Sequence, residues 1–264
     1  MQFFHISNLT YAYKDETVLH NITLEYDSKD FLTIIGPNGG GKSTLLKLIL
    51  GLLEYKNSIC FSNITKEEIG YVPQNNFINP NFPARVLEIV LMGLVGKKNF
   101  GFYNKKDKQK ALEALDKVAM ADFSERKITE LSGGQRQRVL IARTLIDECK
   151  MLLLDEPTTS VDTKNAVQIF ELLQSLHKQG IGIIAVCHDI NIVLAYSDVI
   201  AYLNKELFLH SNPKEKQKSE FLKHLYENHS HFCDVELSLN ACFCEQSCEN
   251  KELCEKECKK VNNA

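Results

Sequence analysis

Residues 36–44 read Gly36-Pro37-Asn38-Gly39-Gly40-Gly41-Lys42-Ser43-Thr44. The apolar run Phe31-Leu32-Thr33-Ile34-Ile35 precedes them, and Leu45-Leu46-Lys47-Leu48-Ile49-Leu50 follows. Strand, glycine-rich turn and helix in that order, with the spacing G-x-x-x-x-G-K-S, make a P-loop. Backbone N–H groups unobstructed by Cβ atoms wrap the phosphates of a nucleotide, and the helix turns its positive end towards them. Lys42 reaches the β- and γ-phosphates as a point charge, and the Ser43 hydroxyl can ligate Mg²⁺. A strand feeding a helix through such a turn predicts an α/β core.

Working outward, three further apolar strands end in polar residues. Ile69-Gly70-Tyr71-Val72-Pro73-Gln74 places the Gln74 amide at the lip of a sheet, where it can bind a metal ion or a water. Met151-Leu152-Leu153-Leu154 is apolar throughout, as strands buried on both faces of a parallel sheet are, and it ends in Asp155-Glu156-Pro157. Asp155 is placed to hold Mg²⁺ through water, and Glu156 to orient or deprotonate an attacking water. Two acids there are costly unless a cation or hydrogen bonds compensate. The run Ile181–Cys187 ends in His188-Asp189. Ligands of open α/β sheets gather at the carboxyl ends of the strands, so His188 is expected at the γ-phosphate.

The remaining segments fill in around this edge. Residues 2–26 alternate apolar and polar and read as two strands joined by Lys14-Asp15-Glu16. Tyr13, with Tyr11 in reserve, is the aromatic expected to stack on adenine. A short strand is read at Ser58–Phe61. Residues 84–129 carry helical stripes, Val86, Ile89, Val90 and Leu94, then Ala111, Leu115, Val118 and Ala119. They are expected to form an inserted helical subdomain, about 84–130. Leu131-Ser132-Gly133-Gly134-Gln135 is a second glycine-containing turn opening a helix, amphipathic through Val139, Ala142 and Ile146. It is thus a second seat for an anion, and it must serve another nucleotide site or another subunit. Thr158–Asp162 leads into a helix at 163–178, and strands at 198–203 and 206–210 complete the unit.

The chain has 264 residues, room for one large α/β domain with an appendage. A net charge of −3 argues against a general nucleic-acid footprint. No run approaches eighteen apolar residues, so no segment is expected to span a membrane. Met1-Gln2-Phe3-Phe4-His5 has no basic region ahead of an apolar core, so no signal peptide is expected. Cys60, Cys149 and Cys187 lie among apolar neighbours and read as buried thiols.

Taken together, residues 2–212 resemble the ATP-binding subunit of an ABC transporter. The P-loop, Gln74, the LSGGQ signature at 131–135, the Walker B run at 151–156, the Asp162 loop and His188 occur in that family's order. The resemblance implies a P-loop ABC ATPase domain over 1–212: a mixed sheet core, an antiparallel β subdomain and the inserted helical subdomain. It implies ATP and Mg²⁺, held by the P-loop with Ser43, Gln74 and Asp155. It implies a homodimer packed head to tail, in which Ser132, Gly133, Gly134, Gln135 and Asp162 act in trans. Hydrolysis would use Glu156 and His188. A separate permease would dock at the helical subdomain, through Phe82-Pro83 and Val90-Leu91-Met92-Gly93. The chain would then lie on the cytoplasmic face of the inner membrane, with an extracytoplasmic metal-binding protein as an indirect partner. Phe82-Pro83 with Val90-Leu91-Met92-Gly93, Asp189-Ile190 after His188, and Tyr202-Leu203-Asn204 before Leu209-His210 look like the zinc/manganese importer branch. Importers of iron chelates, haem or cobalamin are close in pattern, and a non-transport ABC protein or a metal sensor is the more distant alternative. Three departures stand out. Gly39-Gly40-Gly41 lacks the Ala usual in the family, which is expected to add flexibility. Ser160-Val161-Asp162 replaces Ala-Leu-Asp, and Cys187 replaces a Ser or Thr.

Residues 213–264 lie beyond the resemblance. Pro213-Lys214-Glu215-Lys216 reads as a linker and 219–228 as a short helix. His224, His229 and His231 follow, with Cys233, Cys242, Cys244, Cys248, Cys254 and Cys258. Thiolates and imidazoles at this density suit Zn²⁺ or another soft ion, although the spacing matches no standard zinc finger. Metal binding, a redox switch and a disordered tail without metal all remain open at this point.

Overall fold

Strand β3 (Phe31–Ile35), which feeds the P-loop, is buried along its whole length. It lies inside a six-stranded sheet of order β5-β6-β7-β3-β8-β9. The computed structural model describes residues 1–55, 58–74, 83–97, 103–159 and 161–211. β5 (Ile69–Val72), β6 (Met151–Leu154), β7 (Gly182–Val186), β3 and β8 (Val199–Asn204) run parallel. β9 (Glu206–Ser211) closes the edge antiparallel to β8. The sheet is therefore mixed, with an antiparallel edge strand.

Side chains of the central strands alternate between two cores, as the pleat requires. Phe31, Leu152, Leu154, Ile183 and Ala185 face one core. That core is completed by α2 (Val86–Leu91), α3 (Lys105–Lys117), α4 (Gly133–Leu145), α5 (Thr163–Lys178) and α6 (Ile190–Tyr196). Leu32, Ile34, Met151, Leu153, Ile184 and Val186 face the other, made with α1 (Lys42–Ile49) and a second sheet. The second sheet has the order β2-β1-β4, from β1 (Gln2–Tyr13), β2 (Glu16–Asp27) and β4 (Ile59–Phe61). Both faces of the central strands are covered, which is why their sequences are apolar without alternation.

The helical insertion is continuous with the first core, because α2 and α3 both pack on α4. Val86, Ile89, Val90 and Leu94 are buried as expected, and so are Ala111, Leu115 and Val118. Ala119 is not. The helix ends at Lys117, and Ala119 takes a left-handed turn with φ +55° and faces solvent. Met120 N–H donates back to Leu115 O at 2.8 Å, closing the helix end. Cys149 and Cys187 are buried, but Cys60 is exposed. β4 pairs with β1 at the edge of the second sheet, so Ile59 points inward and Cys60 points out. Among the described residues, no helix is long and apolar enough to cross a membrane. The tail cysteines, Phe82 and Ser160 lie outside the described residues.

Candidate functional site

Four loops meet at the carboxyl edge of the parallel strands. β3 delivers residues 36–44, β5 delivers Gln74, β6 delivers Asp155 and Glu156, and β7 delivers Cys187 and His188. They surround a cleft of about 910 Å³, walled on one side by the P-loop and on the other by Gln74, Glu156 and His188.

The P-loop is held from below by the β8–β9 turn. Gly36 has φ +144°, and a Cβ there would lie 2.1 Å from Leu203 O. Gly41 caps α1 with φ +96°, and a Cβ would meet Leu19 Cδ2 at 2.5 Å. Gly36 excludes a side chain on space and on conformation, and Gly41 on conformation. The expected extra freedom of Gly39-Gly40-Gly41 is countered at Gly40, whose N–H donates to Pro37 O at 3.1 Å and whose O accepts from Lys205 N–H at 3.1 Å. Lys42 is buried, and its ammonium donates to Gly36 O at 2.8 Å and Pro37 O at 2.9 Å. Burial lowers its pKa, and the charges of Glu156 and Asp155 oppose that. The ammonium thus rests on the carbonyls of the P-loop itself.

Asp155 and Glu156 are adjacent in sequence but chemically distinct. Burial raises the Asp155 carboxyl above the usual range, with the Glu156 charge adding to it; Ser43 and Tyr71 pull the other way. The Tyr71 hydroxyl donates to Asp155 Oδ2 at 3.4 Å. That phenol is pushed up to about 12, by burial first and then by the Asp155 charge. Asp155 Oδ1 is buried with no hydrogen-bond partner. A buried carboxylate oxygen without a donor, beside the hydroxyl of Ser43, fits a hard cation with oxygen ligands such as Mg²⁺. Bound there with a nucleotide, Mg²⁺ would neutralise phosphate charge.

Glu156 is gripped by three donors. His188 Nε2 lies 2.6 Å from Oε1, Gln74 Nε2 donates to Oε2 at 2.6 Å, and Thr159 Oγ1 donates to Oε2 at 2.9 Å. The His188 bond, followed by the bonds from Thr159 and Gln74, holds its carboxyl down at about 2 against the effect of burial. The backbone of Glu156 is left-handed, φ +50°, which is uncommon for a residue other than glycine. Strain of this kind concentrates at functional sites.

Tyr13 is exposed at the end of β1, edge-on to Tyr11 at 5.1 Å, and does not line the cleft. Its cross-strand partner Glu16 does, together with Val18. The signature turn also lies away from this cleft. Ser132 caps α4, accepting from Gln135 N–H at 3.3 Å, while Gln135 Oε1 accepts from Ser132 N–H at 2.9 Å, a capping box. Asp162 caps α5, accepting from Asn165 N–H at 3.0 Å and Asn165 Nδ2 at 2.6 Å. Gly134 joins the two helix starts, because a Cβ there would press on Asn165 Cβ at 3.0 Å. Of Val90-Leu91-Met92-Gly93, only Met92 is exposed, with Val95 beside it; Val90 and Leu91 belong to the core. Sequence reasoning missed Thr159, Tyr71 and Asn165. For Thr159 the signal was available, a hydroxyl three residues after a strand-end acid. Tyr71 and Asn165 depend on sheet order and helix packing.

The model of the ABC transporter family matches residues 19–159. The manganese transport system ATP-binding protein MntB of Listeria monocytogenes serovar 1/2a is 39% identical over 230 residues, 84% of this chain and 95% of that protein. The zinc uptake system ATP-binding protein ZurA of Listeria innocua serovar 6a is 40% identical over 222 residues, 80% of this chain and 86% of that protein. The dimeric structure of a bacterial ABC transporter cassette superposes with a TM-score of 0.65 at 31% identity, covering 80% of this chain and 99% of that one. The chain belongs to the ABC transporter family, as an ATP-hydrolysing subunit.

Proposed function

We propose that this chain powers import of a divalent metal ion, zinc or manganese, through a separate membrane permease. The observation that carries the ATPase reading is the Glu156 constellation at the mouth of the P-loop cleft. The metal reading rests on the relatives named for manganese and zinc transport. In this reading residues 36–44 bind the nucleotide phosphates, and Tyr13 stacks on adenine once the base is seated. Ser43, Gln74 and Asp155 hold Mg²⁺. Glu156 polarises the attacking water, and His188 passes from Glu156 to the γ-phosphate. Two copies pack head to tail, so that Ser132, Gly133, Gly134, Gln135 and Asp162 complete the partner's site. The position of the signature turn outside its own cleft supports that arrangement. The exposed Met92 and Val95 receive the permease, and an extracytoplasmic metal-binding protein delivers the ion from the far side of the inner membrane.

The domain division follows: residues 1–212 as the cassette and 213–264 as an extension. The extension's Cys233, Cys242, Cys244, Cys248, Cys254 and Cys258 bind the transported metal, such as Zn²⁺, and damp hydrolysis when it is abundant. Unchanged metal dependence of transport after deletion of 213–264 would refute that role. The test of the main reading is cellular zinc and manganese in strains carrying wild-type or Glu156→Gln protein under metal limitation. A selective fall in one ion supports import and names the ion. No change in either would direct attention to chelate import.

A further inference from the structure

The three donors on Glu156 are not equivalent in where they can go. His188 and Gln74 stand at the ends of β7 and β5, on loops separate from that of Glu156. In the proposed function both are needed by the nucleotide and its metal, so both leave the carboxylate when the cleft is filled. Thr159 stays. It belongs to the same tight turn as Glu156, closed by Thr159 N–H donating to Glu156 O at 3.2 Å. Its hydroxyl reaches the carboxylate from within that turn at 2.9 Å.

We infer that Thr159 is a positioning residue for ATP hydrolysis: its hydroxyl keeps the Glu156 carboxylate aimed into the cleft after Gln74 and His188 have transferred to the nucleotide. The inference rests on the assignment of Glu156 as the group that acts on water. A second cavity shows what the hydroxyl prevents. It measures about 200 Å³, adjoins the nucleotide cleft at Glu156, Thr159 and His188, and continues past Thr163, Ala166 and Asp189. A carboxylate freed of its last donor has this space to turn into, beside the acidic Asp189 and away from water held over a phosphate. A misplacement of about 1 Å at a reacting group is enough to lower turnover strongly.

The test uses the full-length chain and MgATP. Thr159→Val removes the hydroxyl and keeps the shape, whereas Thr159→Ser keeps the hydroxyl. Thr159→Val is expected to lower kcat by about tenfold to 150-fold, the worth of one hydrogen bond to a charged group, with KM for ATP changed by less than about twofold. Thr159→Ser is expected to restore kcat to within about threefold of wild type. Equal kcat in Thr159→Val and wild type, a loss confined to KM, or a Ser variant as slow as the Val variant would each overturn the inference. Glu156→Gln measured alongside separates the two levels: if it is inactive while Thr159→Val is normal, only the role of Thr159 fails. If Glu156→Gln turns over normally, the assignment beneath it fails. A crystal structure of Thr159→Val with nucleotide gives a reading independent of rate. The carboxylate displaced into the second cavity supports the role, and an unmoved carboxylate contradicts it.

Discussion

Replacing Asp155 by Asn should make the nucleotide-free protein more stable while removing Mg²⁺-dependent hydrolysis. Asp155 is 3% exposed, its Oδ1 has no hydrogen-bond partner, and burial raises its carboxyl pKa. The sign follows from linkage. A carboxyl raised in the folded state is deprotonated first in the unfolded chain, so stability falls as pH rises from the unfolded value, about 3.9, to the folded one. Above that window the full penalty is present. A buried charged oxygen left unpaired costs on the order of 1–3 kcal/mol. The bonds from Ser43 and Tyr71 and attraction to Lys47 return part of it, leaving a net cost of about 1 kcal/mol. Asn has nearly the same shape and no charge. For a domain of this size about 1 kcal/mol corresponds to roughly 2–4 °C in Tm. Thermal unfolding at pH 7 without nucleotide should therefore show Asp155→Asn melting a few degrees above wild type. With MgATP the order should reverse, because wild type gains stability from both the bound metal and the nucleotide, whereas the variant loses the contribution of the metal. A variant that melts below wild type without nucleotide would refute the view that this carboxylate is under-compensated until a cation arrives.

Two other substitutions follow from the geometry. Gly36→Ala places a Cβ against Leu203 O and on a backbone with φ +144°, so nucleotide binding measured by fluorescent ATP analogue titration should be lost or weakened by more than about tenfold. His188→Ala removes the first cause of the low Glu156 pKa, which lies at about 2. A depressed carboxylate contributes stability above its unfolded value, about 4.3, and loses it as pH falls through the folded value. In urea unfolding the variant should be about 1 kcal/mol less stable than wild type near neutral pH, a figure already reduced for the partial exposure of His188. The gap should close steadily between about pH 4.5 and pH 2. A gap independent of pH would show that His188 acts through packing rather than through Glu156.

The edge of the sheet that walls the cleft was legible because each of its parts is written locally. A glycine-rich turn between an apolar strand and a helix, two acids after Met151–Leu154, and His188 after an apolar run each needed only a short window of sequence. Helix α5 was read at its observed bounds for the same reason, with Asp162 as a side-chain cap at its start. The floor under the P-loop was not legible. Leu203 approaches Gly36 only because β8 pairs with β3, and strand order is not encoded in any one segment. Tyr71 meets Asp155 across 84 positions, through the pairing of β5 with β6. Cys60 was read as buried from its apolar neighbours, but its exposure is decided by the pairing of β4 with β1, which turns Ile59 into the core. Ala119 fitted the helical stripe, yet the chain had already left the helix two residues earlier. Tyr13 and Glu16 differ for a related reason. Which member of a hairpin pair lines the cleft depends on strand twist and on the bulges between Leu9 and Ala12.

The assignment of Glu156 is best examined by measuring MgATP hydrolysis and ATP binding together in the purified full-length Glu156→Gln protein. Hydrolysis should fall by about 10²–10⁴-fold, the usual contribution of a general base, while ATP binding is retained, because Gln keeps the shape and the P-loop is untouched. Turnover equal to that of the wild-type protein, with ATP binding intact, would mean that the group acting on water lies elsewhere.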